Sequence, residues 1–343
     1  MYKFVKSWRI VLFILVLFAG WFSIYAFQTT KYFSENNNPS VGATFTKSFA
    51  EHLQLDWRKV YLGALDDLKI KKFRIGLNWN EIEPSPGKIN FSDFDWMLSE
   101  AEKRNAKIVL AIGRRLPRWP ECRVPEWAEK LPESELEARI LKMLEASVSH
   151  FKASQTISTW QVENEPFFRF FGKDCPKPNK KFLAQEILLV RSLDKDRPVM
   201  ITDSGELLLW WDSAALNPDI LGISIYRYTW NKYFGFLKYF LPSWSYNIKG
   251  RLVSRFVSRI IISELQAEPW APNGFLNLTS EEEAKTMSPA IFKDTFEFAR
   301  KSGYDEAYLW GLEWWYFKKE KGDPVYWNFV KDLNLLPTAN IVY

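Results

Sequence analysis

Two glutamates follow apolar, β-rich runs, at points where a carboxyl group can reach a ligand. The run TWQVEN (159–164) leads directly into Glu165, and the run RIIISE (259–264) ends in Glu264. Cleavage of a glycosidic bond needs one protonated carboxyl group, which gives its proton to the leaving oxygen. It also needs one ionised carboxylate, which attacks or assists at the sugar carbon. The two glutamates therefore predict chemistry on a sugar, provided that the fold brings both to one ligand.

No other set of residues indicates a metal ion or a cofactor. His52 and His150 are far apart in the sequence and the chain has two cysteines, so we expect no structural zinc site and no cofactor. The net charge is +5, and the three basic residues before position 10 carry +3 of it, which leaves +2 for the rest. Because there is no basic run, nucleic acid is not expected as a partner. The charge agrees better with an uncharged glycan than with a polyanion.

Short apolar runs alternate eight times with amphipathic helical stretches. Nearly continuous apolar runs are typical of parallel strands that are buried on both faces. Eight such units predict an α/β fold, a (β/α)₈ barrel, in which the carboxyl ends of the strands face the active site. A doubly wound open sheet is the alternative, but the Gly-rich phosphate turn typical of it is absent. The predicted strands are 41–45, 73–78, 107–113, 159–164, 199–203, 220–226, 259–264 and 306–311, and the predicted helices are 56–69, 93–104, 133–151, 179–193, 249–257, 280–301 and 325–332.

Three motifs, in order along the chain, resemble those of a known group of enzymes. RIGLNWNEIEPSPGKINFSDFDWML (74–98) resembles the second βα unit of the clan A retaining glycoside hydrolases, the barrel superfamily that includes cellulase-like and β-mannanase-like families. WQVENEP (160–166) resembles the acid/base strand of that clan, and IIISE (260–264) resembles its nucleophile strand. Tyr226 closes the sixth predicted strand and Trp310 the eighth, as in the clan pattern. The resemblance covers about residues 40 to 330.

The resemblance implies roles for five residues. Glu165 would be the general acid/base and Glu264 the nucleophile. Asn164 would hydrogen-bond the sugar 2-hydroxyl, while Arg74 and Tyr226 would lie against Glu264. A nearby cation and a hydrogen-bond donor favour an ionised carboxylate, whereas burial or the charge of Glu264 should raise the pKa of Glu165. We expect a carboxyl separation of about 5–5.5 Å and retention of configuration.

The sequence departs from the cellulase-like pattern at two places. Gly113-Arg114-Arg115 stands where those families usually have a histidine at the end of the third strand. Ser224 stands two residues before Tyr226, where the cellulase-like families often have a second histidine.

Four further glutamates lie near the two proposed catalytic ones or near strand ends. Glu268 is a rival nucleophile, but it is predicted to lie in the loop past the strand end. Glu163 precedes Asn164 and should point to the other face. Glu206 and Glu313 are near predicted strand ends and are candidates for substrate binding.

The surplus of aromatic residues, with 17 Trp among 343 residues, gives a second indication of carbohydrate. Indole rings stack on the apolar C–H faces of sugars, while the indole N–H still finds a partner. Trp310, Trp79, Trp119 and Trp270 are predicted to bind substrate in this way. Packing between helices and barrel is the alternative for each tryptophan near a βα loop, a set that also includes Trp127, Trp210, Trp211, Trp230, Trp314 and Trp315.

An uncharged apolar run near the amino terminus predicts export. Residues 10–27 would span roughly 27 Å as a helix, and the basic residues before them place the amino terminus in the cytoplasm. We therefore expect a cytoplasmic segment 1–9, a transmembrane signal-anchor 10–27, a linker 28–39 and a catalytic barrel 40–343. A cleaved signal peptide, which would make the protein secreted, is the alternative. Outside the cytoplasm a disulfide between Cys122 and Cys175 becomes possible, and the sequence leaves it open.

The stretch 226–250 is an insertion with ten aromatic residues, four cationic residues and no acidic residue. It is interpreted as a lid or wall of the cleft, with a surface resting on the membrane or a contact with a partner protein as alternatives. For the whole chain we predict a membrane-anchored, extracytoplasmic glycoside hydrolase that cleaves β-glycosidic bonds by double displacement. A transglycosidase, in which a sugar hydroxyl replaces water, and a non-catalytic barrel that binds polysaccharide are the alternatives.

Overall fold

The computed structural model describes residues 11–21, 23, 38–170, 172 and 175–335, and its central feature is a closed barrel of eight parallel strands. Going round the barrel, the strand order is β1-β10-β9-β6-β5-β4-β3-β2, so strands adjacent in the barrel also follow one another along the chain. The predicted (β/α)₈ barrel is thus confirmed. Its strands are β1 (Ser40–Phe45), β2 (Lys72–Gly76), β3 (Lys107–Ile112), β4 (Ile157–Val162), β5 (Val199–Asp203), β6 (Ile220–Ile225), β9 (Arg259–Gln266) and β10 (Glu306–Trp310).

Alternation along each strand separates residues that face the helices from residues that face the barrel interior. On β3, Ile108 and Leu110 belong to the large core between strands and helices, whereas Val109 belongs to a separate small cluster of strand residues. Because side chains alternate along a strand, that cluster fills the barrel interior. On β2, Phe73 and Ile75 face the helices, so Arg74 between them points inward. The interior is therefore where a buried cation must find its partners.

Helices cover the barrel, and local signals set several of their ends. Asp56 accepts hydrogen bonds from two backbone N–H groups at the start of helix Trp57–Asp66, and Asn179 caps helix Lys180–Leu193. The predicted helix 280–301 is divided, because Ser288 caps a new helix whose first residue is Pro289. The helices are Lys47–His52, Trp57–Asp66, Trp79–Ile82, Ser92–Glu102, Glu133–Phe151, Lys180–Leu193, Trp211–Ala214, Ser243–Val253, Ser280–Thr286, Pro289–Ser302, Leu312–Glu320 and Val325–Leu335, with 3₁₀ turns at Glu126–Ala128 and Phe275–Asn277.

The aromatic insertion forms a hairpin followed by a helix. Its strands β7 (Tyr228–Asn231) and β8 (Gly235–Lys238) pair antiparallel and stand apart from the barrel sheet. The helix Ser243–Val253 begins six residues earlier than the predicted helix 249–257. Pro242 stands immediately before it, where the fixed φ of proline suits a helix start.

The predicted transmembrane segment, residues 10–27, lies partly outside the described residues. Residues 11–21 and 23 are helical. Among the residues that the structure describes, no helix is long and apolar enough to cross a membrane.

Candidate active site

Glu264 lies on β9 inside the catalytic end of the barrel, and each of its oxygens accepts a hydrogen bond. Arg74 donates from Nη1 to Oε1 at 2.8 Å, and the hydroxyl of Tyr226 donates to Oε2 at 3.1 Å. Both contacts were predicted from the sequence. The predicted strand ended at Glu264, but the observed strand continues to Gln266, so Glu264 lies two residues before its end. The carboxyl group is 5% exposed, and a cation and a hydroxyl donor face it.

Arg74 connects Glu264 to the strand that carries the second glutamate. Its side chain is fully buried, and Nε donates to Gln161 Oε1 at 2.6 Å. Nη2 donates to Asn164 Oδ1 at 2.6 Å, and Thr202 Oγ1 lies 3.2 Å from the same oxygen. The bonds from Arg74 Nη2 and Thr202 both use the amide oxygen of Asn164. Gln161 and Thr202 were not predicted, although each lies on a strand at an inward-facing position.

Glu165 follows β4 and is held in a different setting from Glu264. Ser224 Oγ donates to its Oε1 at 2.6 Å, and its backbone N–H donates to Thr202 Oγ1 at 2.8 Å. Burial, and after it the negative charges of Glu264 and Glu121, raises the pKa of Glu165 well above its ordinary value. The predicted direction of this shift is confirmed. Ser224, which replaces a histidine of the cellulase-like pattern, is therefore a direct partner of Glu165.

The turn after β4 contains backbone conformations that residues other than glycine rarely adopt. Glu163 and Glu165 have φ of 59° and 41°, both in the left-handed region. The Glu163 carboxylate accepts from the backbone N–H groups of Arg114 at 2.6 Å and Arg115 at 2.7 Å. A Cβ at Gly113 would lie 2.4 Å from Glu163 Oε1, so only glycine leaves room for this carboxylate. Glu163 thus ties the β4 turn to the β3 loop and faces away from Glu264, as expected.

The rival nucleophile Glu268 is occupied by an ion pair. Arg118 donates to both of its oxygens, and the indole N–H of Trp310 donates to Oε1 at 2.8 Å. The Arg118 guanidinium also lies 4.3 Å from the centre of the Trp310 ring and 3.8 Å from that of Phe49. Glu268 lies beyond the end of β9, as predicted. Because Arg118 and Trp310 hold its carboxylate, we interpret Glu268 as a residue that lines the site beside Glu264.

A third carboxyl group, Glu121, lies close enough to act electrostatically on the pair. It accepts from Arg115 Nε at 2.6 Å, and burial raises its pKa to about 7. Cys122, the next residue, is joined to Cys175 in a disulfide with Cα atoms 5.4 Å apart, which resolves the bond that the sequence left open. Glu121 was missed by sequence reasoning, and its only signal was its place beside a cysteine.

Glu206 and Glu313, the candidates for substrate binding, are both buried and hydrogen-bonded to protein groups. Glu206 accepts from the Tyr226 backbone N–H at 2.7 Å and from the Tyr246 hydroxyl at 2.6 Å, so it holds the backbone of Tyr226 in place. Glu313 is fully buried and accepts from the backbone N–H of Thr46. Burial raises the pKa of both carboxyl groups to about 7.

The four tryptophans predicted to stack on substrate have different surroundings. Trp79 is fully buried, and its N–H donates to Glu83 at 2.7 Å, so it is a core residue and that prediction is wrong. Trp310 is 7% exposed and one ring face is covered by Arg118. Trp270 is half-buried, with its ring centre 6.1 Å from that of Tyr226, and Trp119 is 53% exposed. Three further tryptophans near loops are core residues, namely Trp210, Trp314 and Trp315.

No metal site accompanies these groups in the part of the chain that the structure describes. Within it, no cluster of three or more His, Cys, Asp or Glu residues could hold a metal ion.

Comparison with known proteins identifies glycoside hydrolases. A family model described as β-galactosidase, of glycoside hydrolase family 42, matches residues 50–138. A β-galactosidase from Rahnella sp. R3 is 12% identical with a TM-score of 0.59, and the alignment covers 88% of this chain and 56% of that one. A xylanase from Thermotoga maritima is 16% identical with a TM-score of 0.57, covering 88% and 97%. An exo-β-1,4-mannosidase from an Opitutaceae bacterium is 12% identical with a TM-score of 0.55, covering 80% and 51%. No curated protein sequence matches.

These comparisons confirm the resemblance to clan A glycoside hydrolases. The chain has their (β/α)₈ barrel, and glycoside hydrolase, the predicted enzyme class, is the class that the family model and the structural neighbours share. The chain spans little more than half the length of the β-galactosidase and the mannosidase. At these identities the likeness to solved structures concerns the fold, so substrate and mechanism are argued from this chain's own residues.

Proposed function

We propose that this protein is a retaining glycoside hydrolase that cleaves β-glycosidic bonds, with Glu165 as acid/base and Glu264 as nucleophile. One observation carries the proposal: two neighbouring buried carboxyl groups have opposite surroundings. Glu264 receives hydrogen bonds from a guanidinium and a hydroxyl group, which stabilise negative charge. Burial and two neighbouring carboxyl groups raise the pKa of Glu165, which favours its protonated form. A proton donor and a nucleophile in one site require such opposite surroundings, one favouring the protonated form and the other the ionised form.

In the first step, Glu264 attacks the anomeric carbon while Glu165 gives its proton to the glycosidic oxygen. The bond between the anomeric carbon and that oxygen breaks, the leaving group departs as an alcohol, and a glycosyl ester forms on Glu264. Glu165 is now ionised. In the second step it takes a proton from a water molecule, whose oxygen attacks the anomeric carbon and displaces Glu264. Two inversions give net retention, and both carboxyl groups return to their starting states.

Asn164 would bind the 2-hydroxyl of the sugar that is being cleaved. Arg74 and Thr202 both lie within hydrogen-bond distance of its Oδ1, so the amide has a fixed orientation and the nitrogen is left as the donor for a ligand. A hydrogen bond to the 2-hydroxyl strengthens in the transition state. Tyr226, whose backbone is held by Glu206, would keep its hydroxyl on Glu264 while the substrate enters.

We infer that the substrate is a neutral, β-linked glycan. The named neighbours act on β-galactosides, xylan and mannosides, which are uncharged. Trp270 and Trp119, the predicted platforms that are not buried, would stack on sugar faces.

We also propose that the barrel, residues 40–343, acts outside the cytoplasm and that residues 10–27 anchor it to the membrane. The disulfide between Cys122 and Cys175 supports an oxidising compartment. Extraction of cell membranes with alkaline carbonate tests the anchor: an anchored chain stays in the membrane pellet, whereas release into the supernatant would rule anchoring out.

A screen of aryl β-glycosides and polysaccharides with the full chain tests the proposed activity. Glu165→Gln and Glu264→Gln should lose at least a thousandfold in kcat/KM on any substrate that the wild type cleaves, whereas Glu126→Gln, an exposed site in the β3 loop, should retain activity. Azide added to Glu264→Ala should restore turnover and give a glycosyl azide of inverted configuration. Full activity in either Gln variant would show that the residue has been assigned wrongly.

A further inference from the structure

Exposed apolar side chains are concentrated on one half of the catalytic end of the barrel. They lie on the loops that follow β4, β5 and β6, which are neighbouring strands in the barrel. Tyr233, Phe234 and Phe240 are 79%, 75% and 92% exposed. Clusters of exposed apolar side chains mark sites of interaction. This surface, called the apolar rim below, consists of Phe170, Leu207, Leu209, Tyr233, Phe234, Leu237 and Phe240.

The most prominent part of the apolar rim is a hairpin tip with a fixed shape. The side chain of Asn231 accepts from the backbone N–H groups of Tyr233 at 3.0 Å and Phe234 at 2.9 Å, so the turn is held by its own residues. Gly235 closes the turn with a φ of 70°. The two aromatic rings are therefore presented to the outside by an ordered turn.

The chain around the hairpin is entirely free of negative charge. Residues 226–258 contain six Lys or Arg residues and no Asp or Glu. Four of the six are exposed, namely Lys232, Lys238, Arg251 and Arg255. This segment would attract an anionic surface. Acidic residues occur on the adjacent helix Ser280–Thr286, whose Lys285 lies 5.5 Å from the centre of the Phe236 ring.

We propose that the apolar rim rests on an anionic lipid bilayer. Phe, Leu and Tyr side chains interleaved with Lys and Arg are the composition of membrane-interfacial surfaces. A sugar platform presents ring faces from a concave groove, whereas the tip here protrudes and is flanked by leucines that have no ring to offer. Lipid is therefore the occupant that this surface fits best.

The contact would also place the catalytic end of the barrel at the membrane. The hairpin joins β9 beside Glu264, because the backbone N–H of Tyr228 donates to Gln266 Oε1 at 2.9 Å and Trp270 Nε1 donates to Tyr228 O at 2.8 Å. Lipid contact is independent of the proposed hydrolase function. Together with that function, lipid contact implies that the enzyme would take its glycan from molecules carried at a membrane surface.

The experiment uses the full chain with an environment-sensitive fluorophore on one introduced cysteine, under conditions that leave the native disulfide intact. Phe234→Cys places the label on the apolar rim, and Lys195→Cys places it on an exposed site at the opposite end of the barrel. Each protein is mixed with vesicles of phosphatidylcholine and phosphatidylglycerol, and spectra are recorded on the vesicle-bound fraction after flotation. The Phe234→Cys label should shift to shorter wavelength and brighten severalfold, whereas the Lys195→Cys label should not change.

Charge variants and a second set of ligands complete the test. Neutralising Lys232 and Lys238 together should weaken the response of the Phe234→Cys label to phosphatidylglycerol by roughly 30-fold, since each basic side chain near an anionic surface contributes about fivefold. Neutralising Lys152 and Lys195 should leave it unchanged. An unshifted Phe234→Cys label in vesicle-bound protein, or no vesicle binding at all, would overturn the proposal. A shift caused by soluble oligosaccharide or by rising protein concentration, without vesicles, would assign the rim to a glycan or to a second copy and would overturn it too.

Discussion

The ion pair between Arg74 and Glu264 allows the electrostatics of the site to be tested before any substrate is known. Arg74→Met removes a fully buried guanidinium and leaves Glu264, 5% exposed, without its cation. Removal of one partner from a buried ion pair costs about 3–5 kcal/mol in the free energy of unfolding. In a Glu264→Gln background Arg74 has already lost its carboxylate, so the same change removes no ion pair and should cost only about 1–2 kcal/mol, for the hydrogen bonds to Gln161 and Asn164. The expected coupling is the difference, about 2–3 kcal/mol.

Urea denaturation followed by tryptophan fluorescence measures the four free energies of this cycle. Arg58→Met is the matched control, because Arg58 forms a surface ion pair with Asp93 and should cost less than about 1 kcal/mol. If Arg74→Met costs as much in the Glu264→Gln background as in the wild type, the coupling is zero. The claim that Arg74 compensates the charge on Glu264 would then be refuted.

Three further predictions concern the same end of the barrel. Because burial raises the pKa of Glu165 above its unfolded value of about 4.3, its protonated form stabilises the fold at low pH, and this contribution is lost as the pH rises through the folded pKa. Glu165→Gln should therefore raise Tm at pH 7.5 and lose this advantage near pH 4; an equal Tm gain at both pH values would contradict the assignment. Glu121→Gln should move the alkaline limb of kcat/KM to lower pH, because a negative charge beside Glu165 is removed, while Glu126→Gln should not move it. Replacing Cys122 and Cys175 with Ser opens a loop of sequence separation 53, which should cost about 4 kcal/mol of stability in denaturation experiments; a cost below 1 kcal/mol would show that the loop is held by other contacts.

Strand patterns in the sequence were sufficient to predict the barrel and the residues on its strands. The strand ends placed Glu165, Tyr226 and Glu264 at one end of the barrel, and the resemblance to clan A implied that Arg74 lies against Glu264. These predictions succeeded because side chains alternate between the two faces of a strand and all strands of the barrel run in the same direction. The position of a residue along its strand therefore determines which face and which end of the barrel it occupies.

Loop residues could not be predicted in the same way. Arg118 and Glu121 have φ of 84° and 69°, in a loop without regular periodicity. Arg118 pairs with Glu268, which is 150 residues away, and Glu121 pairs with Arg115 across this irregular loop, so no local pattern indicates that they line the site. Trp79 was misplaced for a related reason. Its position after β2 suggested the substrate side, but Glu83, four residues on, binds its N–H inside the core.

The central claim, that Glu264 is the nucleophile of a retaining glycosidase, is tested most directly by trapping its glycosyl ester. The full chain is incubated with activated 2-deoxy-2-fluoro glycosides of galactose, xylose and mannose, digested and examined by tandem mass spectrometry. We expect one fluoroglycosyl group on the peptide that contains IIISE, attached to Glu264, and none in Glu264→Gln. A label on Glu268, or on another residue that abolishes turnover when replaced, would contradict it.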